Sequence, residues 1–174
     1  KVLTLSKLEE GKLLLEKTEV ELRPIIEDLI EKFTAKAEKQ VEFALDLQEE
    51  KAYADEEFLK EALSNLIDNA IKYSGESVQI KISSSASTDG YTHISVTDNG
   101  MGIPLKEQGK IFEKFERASA VIRNRKEGAS GFGLGLNYVL HVVEAHHGSV
   151  KLESIEGEYS KFTINIPQHN GETA

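Results

Sequence analysis

The sequence contains no cysteine. Disulfides and thiolate-held metal sites are therefore excluded, and an oxidising compartment gains no support. Long apolar runs are missing too. None approaches the ~18 residues that a membrane helix needs, and Lys1 to Lys12 lacks the continuous apolar core of a signal peptide, so the chain as given is expected to be soluble. Positive charge is scarce, with 21 Lys and Arg against 30 Asp and Glu and a formal charge of −9. That field opposes nucleic-acid backbones and anionic lipid; nucleic acid is not an expected partner, and any bound anion must be held by local donors. What is present is 174 residues, 39% of them hydrophobic, which suits one globular domain with a small appendage.

Leu3, Leu5 and Leu8, with the charges among them, read as the last turns of an amphipathic helix stopped at Gly11. Leu13 to Leu22 is strand-like, and Pro24 stands where a first helical residue is tolerated, opening a helix with Ile25, Ile26, Leu29, Ile30 and Phe33 on one side. Val41, Phe43, Leu45 and Leu47 alternate as a half-buried strand. Asp55, Glu56 and Glu57 place negative charge at the start of a central helix, whose apolar residues recur at helical spacing from Phe58 to Ile71 and stop at Gly75. Val78, Ile80 and Ile82, the turn Asp89-Gly90, then Ile94 and Val96 predict a hairpin ending at Asp98, its register loosened by the serines between 83 and 87. From Asn99 to Ser130 periodicity fades except around Ile111 to Phe115, as expected of a functional lid or a disordered segment. A helix from about Gly133 to His147 follows, then strands at Val150 to Ile155 and Phe162 to Ile166 around Gly157, and Pro167 closes the last strand. The expected fold is an α/β two-layer sandwich: a mixed, mostly antiparallel sheet with helices on one face, parallel βαβ winding being disfavoured.

Within the central helix, Asn65, Asn69, Lys72 and Tyr73 stand at i, i+4, i+7 and i+8 and form one polar stripe. Asparagine is a poor helix-interior residue, so two on one face want a reason. A magnesium and phosphate site is one: a neutral carbonyl such as that of Asn69 can complete a magnesium ion that draws on water and phosphate, Lys72 can reach a phosphate, and Tyr73 offers a flat face to a base. An ordinary exposed face is the other. In "TDNGMGIP", Asp98 can accept a hydrogen bond from an exocyclic amine while Gly100 and Gly102 permit positive φ and close approach; the same residues also make an ordinary turn. "GFGLGL" carries Gly131, Gly133 and Gly135 before a helix, which suits either a phosphate cradle or a hinge. It is neither a Walker A loop nor the dinucleotide fingerprint. Between the two glycine segments, Lys110, Lys114, Arg117, Arg123, Arg125 and Lys126 make a basic run inside an acidic protein, either a phosphate-facing lid pinned by Phe112 and Phe115 or an exposed helix of mixed charge.

In chain order, "LSNLIDNAIKYS", "DNGMGI", "IFEKFER" and "GFGLGL" resemble the N, G1, F and G2 boxes of sensor histidine kinases, members of a superfamily shared with DNA gyrase, heat-shock chaperone and mismatch-repair ATPases. "HHGSVKLES" to "FTINIP" is similar to the closing hairpin of that family. The resemblance implies the Bergerat ATP-binding fold with ATP and Mg²⁺ as cofactors. It implies that Asn69 ligates magnesium, that Lys72 contacts phosphate, that Tyr73 packs beside the base and that Asp98 reads the adenine amine. Gly100 and Gly102 would shape the base pocket, and Arg117, Gly131, Gly133, Leu134 and Gly135 would serve the phosphate end. Phe132 departs from the family, where many members carry a small hydroxyl residue. Asn65 stands where the hydrolases of the superfamily carry a water-activating glutamate, whereas histidine kinases commonly have asparagine. The implied chemistry is therefore transfer to a protein acceptor, with Asn65, Asn69 and Lys72 as the catalytic set.

None of His93, His141, His146, His147 or His169 has the His-Glu/Asp context of a phosphoacceptor. His146 and His147 read instead as last-turn residues favoured by the helix dipole. The resemblance then divides the chain into the end of a dimerisation helix with its linker at 1–12, an ATP-binding catalytic domain at 13–167 and a disordered tail at 168–174. It implies a dimerisation and phosphoacceptor domain in the same protein, a downstream response regulator, a homodimer at full length with a monomeric isolated domain, and a cytoplasmic place in a membrane-anchored bacterial sensor.

Overall fold

The computed structural model describes residues 14–109, 111 and 132–168. Strand β1 (Lys17–Glu21) leads directly into helix α1 (Leu22–Lys36), followed by strands β2 (Gln40–Leu47) and β3 (Lys51–Asp55) and the central helix α2 (Glu56–Lys72). Then come β4 (Ser77–Ala86), β5 (Tyr91–Asp98), the single turn α3 (Leu105–Gln108), α4 (Phe132–Ala145), β6 (Ser149–Ile155) and β7 (Tyr159–Pro167). Five strands form the main sheet in the order β2-β4-β5-β7-β6, and β1 and β3 form a separate antiparallel ribbon. This is the expected two-layer α/β sandwich.

Helix α1 starts two residues before the expected Pro24, at Leu22. Proline is accommodated there because the first N–H groups of a helix have no intrahelical acceptor, and the Leu22 N–H finds one outside it, donating to Glu50 O at 2.8 Å. Strand β3 has no counterpart in the sequence reading. Its inward residues are Ala52 and Ala54, which have weak strand preference, and its pairing with β1 decides its conformation.

One pair of the sheet, β2 with β4, is parallel, which makes the sheet mixed and mostly antiparallel, as expected. The intervening chain includes the whole of α2, which must lie on the apolar face, so β4 re-enters in the direction of β2. The other pairs are antiparallel. The serine run does not loosen the hairpin: Ser83, Ser84 and Ser85 stay in register opposite Ser95, Ile94 and His93, and the inward Ser84 hydroxyl donates to Glu49 O.

The core lies between the sheet and the helices. Val78, Ile80, Ile82, Ile94, Val96, Ile164 and Ile166 face Leu63, Leu66 and Ile67 of α2 and Leu136, Val139, Val142 and Val143 of α4, all of them buried. Each fully buried aliphatic side chain contributes about 1.5–3 kcal/mol, which fixes the two helices as a platform. The opposite face of the sheet is polar, with Lys81, Ser83, Ser85, His93, Ser95, Lys161 and Thr163 along its middle strands. Among the described residues no helix is long and apolar enough to cross a membrane.

Helices α2 and α4 run antiparallel, and a buried histidine fastens one pair of ends. His146 Nδ1 donates to Val142 O at 2.8 Å, and Nε2 accepts the Asp55 N–H at 3.0 Å. Both bonds together require the neutral ring, and burial holds its pKa below the usual value. His146, expected as a last-turn residue favoured by the dipole, is 1% exposed and works as an uncharged brace. Asp55 also caps α2, its carboxylate accepting from the Phe58 and Glu16 N–H groups. At the other end of the chain, Gln168, expected as the first residue of a loose tail, bonds the β4–β5 turn through its backbone N–H to Gly90 O and its amide to Tyr91 O.

Candidate functional site

The remaining ends of α2 and α4 meet where the sequence places its polar stripe. Asn65 and Asn69 occupy successive turns of α2 opposite the start of α4. A methyl group built on Gly135 would stand 3.5 Å from Asn65 Oδ1 and 3.8 Å from Asn69 Oδ1. The Asn65 amide donates back to Glu61 O at 3.1 Å. Asn69 is 7% exposed, and its buried Nδ2 has no hydrogen-bond partner among the described residues. Such an unmade bond costs about 1–3 kcal/mol, and the rare buried groups that carry this cost call for a functional explanation. The stripe is therefore not an ordinary exposed face. Lys72, one turn on, is half exposed and pairs with Asp68 at 2.9 Å. Tyr73 ends the helix, its N–H donating to Asn69 O at 3.0 Å.

Asp98 sits at the end of β5 and is 8% exposed. Its Oδ1 accepts the Gly100 N–H at 2.8 Å. Burial pushes the carboxyl up to about 6, with the Gly100 bond pulling the other way. Gly100 fills the gap between this acid and the end of α2: a Cβ there would lie 2.8 Å from Tyr73 O, 2.9 Å from Asp98 Oδ1 and 3.3 Å from Ser74 Cβ. Gly102 has φ +68°, and a Cβ would meet Ile155 O at 2.2 Å, so glycine is required twice over.

The loop after β5 is fastened on both sides. The Met101 N–H donates to Tyr73 O at 3.2 Å, and Met101 O accepts the Gly157 N–H at 2.7 Å. The Ile103 N–H donates to Ser154 Oγ, and Gln108 Nε2 donates to Ile103 O and Ser154 O, each at 2.8 Å. Ser154 and Gln108 were missed in the sequence, since nothing local marks a serine of one hairpin as the partner of a loop some fifty positions away.

The structure brings Asn65, Asn69 and Gly135 together, and Tyr73 together with Asp98 and Gly100. Gly102 turns toward the β6–β7 hairpin. Gly133 and Leu134 fall in the first turn of α4, which begins at Phe132. Gly131, Arg117, Phe112, Phe115 and the basic run lie outside the described residues. Among the described residues no cluster of His, Asp and Glu could hold a metal unaided. The Asn69 carbonyl Oδ1 is the kind of neutral oxygen that fits a divalent cation drawing its other ligands from phosphate and water, while the orphaned Nδ2 is a donor that calls for an acceptor such as a phosphate oxygen.

The mixed five-stranded sheet with its helices on one face is the Bergerat sandwich of histidine kinase catalytic domains. The chain belongs to the family described as histidine kinase-, DNA gyrase B- and HSP90-like ATPases, whose model matches residues 54–170. It is 33% identical over 169 residues to the adaptive-response sensory kinase SasA of Crocosphaera subtropica, a match covering 95% of this chain and 43% of that protein. The catalytic domain of histidine kinase ThkA superposes with a TM-score of 0.73 at 28% identity, covering 90% of this chain and 98% of that one. ThkA has also been solved in complex with the response regulator protein TrrA. Full-length ShkA in complex with AMPPNP superposes with a TM-score of 0.77 at 26% identity, covering 94% of this chain and 33% of that one. The chain spans less than half the length of the curated relatives it matches first.

Proposed function

We propose that this chain is the ATP-binding catalytic domain of a two-component sensor histidine kinase, transferring the γ-phosphoryl group of ATP to a histidine on a dimerisation domain outside the sequence given. The observation that carries this reading is Asn65, which faces Gly135 at the start of α4 from the position where a hydrolase of the superfamily would hold a glutamate. An amide takes no proton at neutral pH, so the pocket lacks a base for water at that point. The AMPPNP bound by ShkA and the response regulator bound by ThkA support the same reading.

In this proposal Asp98 accepts the adenine amine, Tyr73 packs beside the base, and Gly100 and Gly102 shape the wall. Asn69 ligates Mg²⁺, which when bound neutralises phosphate charge and aligns the transferring group. Lys72 leaves Asp68 to meet a phosphate. Gly133, Leu134 and Gly135 present backbone donors at the positive end of α4, and Gly131 and Arg117 are assigned to the same phosphate-binding role. Residues 1–12 end a dimerisation helix, 13–167 form the domain and 168–174 the tail. The whole protein is a homodimer with a cytoplasmic catalytic domain and a membrane anchor, acting on a response regulator, whereas this domain alone is monomeric.

Incubation with γ-labelled ATP and Mg²⁺ tests the proposal. The chain alone should bind nucleotide, carry no acid-labile label and release phosphate slowly; joining it to dimerisation helices that contain the acceptor histidine should restore labelling. Rapid phosphate release by the chain alone refutes the kinase reading and favours a clamp-type ATPase.

A further inference from the structure

The end of α2 that carries Tyr73 is held by a residue that belongs to none of the family boxes. Lys39, half-buried in the turn between α1 and β2, donates from Nζ to Ile71 O at 2.5 Å, to Ser74 O at 3.2 Å and to Ser74 Oγ at 3.1 Å. The Ser74 hydroxyl closes the arrangement by donating to Ile71 O at 2.7 Å. An ammonium has three protons, and here all three have acceptors at one helix terminus. These bonds fix the segment from Ile71 to Ser74, and that segment is the wall of the base pocket. Tyr73 O takes the Met101 N–H, and Tyr73 O and Ser74 Cβ flank Gly100, which in turn binds Asp98.

We propose that Lys39 is a positioning residue for base recognition: it locks the C-terminus of α2 so that Tyr73 and the loop at Gly100 hold Asp98 at the distance that selects adenine. Charge adds a second reason. The C-terminus of a helix carries partial negative charge, and the Lys39 ammonium offsets it without occupying the pocket. A neutral side chain of similar length would remove all three Lys39 bonds, leaving Ile71 O with the Ser74 hydroxyl and Ser74 O without this donor, and the wall would relax away from Gly100.

This inference rests on the proposed ATP reading, and the test separates the two. Calorimetric titration of the 174-residue chain with Mg-ATP and Mg-GTP should give a preference for ATP of about tenfold or more, since guanine sets a carbonyl against the Asp98 acceptor. In Lys39→Met the ATP affinity should fall about tenfold while the ATP-to-GTP ratio shrinks toward one, because a loosened wall no longer enforces the geometry of Asp98. Lys39→Arg should recover most of both. Ser74→Ala, a milder change with the charge intact, should show a smaller loss in the same direction, which keeps the test available if Lys39→Met does not fold. A purely structural lysine would lower the urea midpoint and leave the ATP-to-GTP ratio of folded protein unchanged in Lys39→Met and Ser74→Ala; that result overturns the inference alone. Equal affinity of the unaltered chain for both nucleotides overturns the adenine reading and this inference with it.

Discussion

Asp98 sets binding against stability, and Asp98→Asn measures the balance. Its carboxyl is raised from the usual 3.8 to about 6 by burial, with one compensating bond from Gly100. The folded state therefore binds this proton more tightly than the unfolded chain does. Below 3.8 both states are protonated and Asp98 carries no penalty; as pH rises through about 6 the folded carboxyl must ionise where water is scarce, and stability falls. A shift of about 2 units at 1.36 kcal/mol each sets an upper bound near 3 kcal/mol, and residual hydration reduces it to about 1–2 kcal/mol at neutral pH. Asparagine keeps an oxygen for the Gly100 N–H and never ionises. Asp98→Asn should accordingly be the more stable protein at pH 7.5, by on the order of 5 °C in Tm for a domain of this size. The gain should shrink progressively toward pH 4. The same variant should lose at least about tenfold in ATP affinity, because its amide can set a donor against the adenine amine. Urea denaturation from pH 4 to pH 8, with titration calorimetry at pH 7.5, reads both effects. A gain independent of pH, or a loss of stability at pH 7.5, would refute the argument that Asp98 is held desolvated for a ligand.

Asn69→Ala removes the orphaned amide along with the proposed metal ligand, so Tm should move by no more than a few degrees while the increase in ATP affinity on adding magnesium chloride falls about tenfold; an unchanged magnesium effect contradicts the assignment. His146 acts on stability with the opposite sign to Asp98. Its folded pKa lies below the usual 6.5 because of burial, so the unfolded chain takes the proton first and stability drops as pH falls below 6.5. In an Asp98→Asn background urea midpoints should decline between pH 7 and pH 5.5, and adding His146→Gln should flatten that decline; an equal slope in both variants would show that the brace at Asp55 is indifferent to charge.

What could be read from the sequence divides along the range of the interactions. The apolar spacing of α2, its acidic start and the alternation in β2, β4, β5 and β7 are local patterns, and each element appears where its pattern lies. The pairing of Asp98 with Gly100 is local as well. Strand β3 was invisible because Ala52 and Ala54 have no intrinsic strand signal and depend on β1, more than thirty positions away. His146 was misread for the same reason. In sequence it is a last-turn histidine, and only the Asp55 N–H, brought to it by the antiparallel packing of α2 and α4, turns the ring into a neutral acceptor. Lys39 in the chain is one charge among many at a helix end, and its three acceptors lie over thirty residues downstream.

The long-range contacts share a logic that the boxes alone do not reveal. The proposed pocket has two ends, and the fold fixes them by different means. At the base end, Lys39 holds the terminus of α2; backbone bonds of Met101 to Tyr73 and Gly157, and the Ser154 and Gln108 side chains, join that terminus to the β5 loop and the β6–β7 hairpin. Hydrogen bonds of defined direction suit discrimination, because an acceptor such as Asp98 selects a donor only when it cannot shift to suit another partner. At the phosphate end the described contacts are different. Asn65 and Asn69 oppose Gly135 with about the space of a methyl group between them, and α4 is held at its far end by His146 and along its length by apolar packing. Apolar contacts and one remote brace set the position of a helix N-terminus without dictating each ligand atom, which suits a group whose charge must be stabilised while its bonding changes. Substitutions at Lys39, Ser74 or Asp98 should therefore alter which base is bound, whereas Asn69 should govern the dependence on magnesium, and a variant that exchanged these effects would show that the two ends are one mechanical unit.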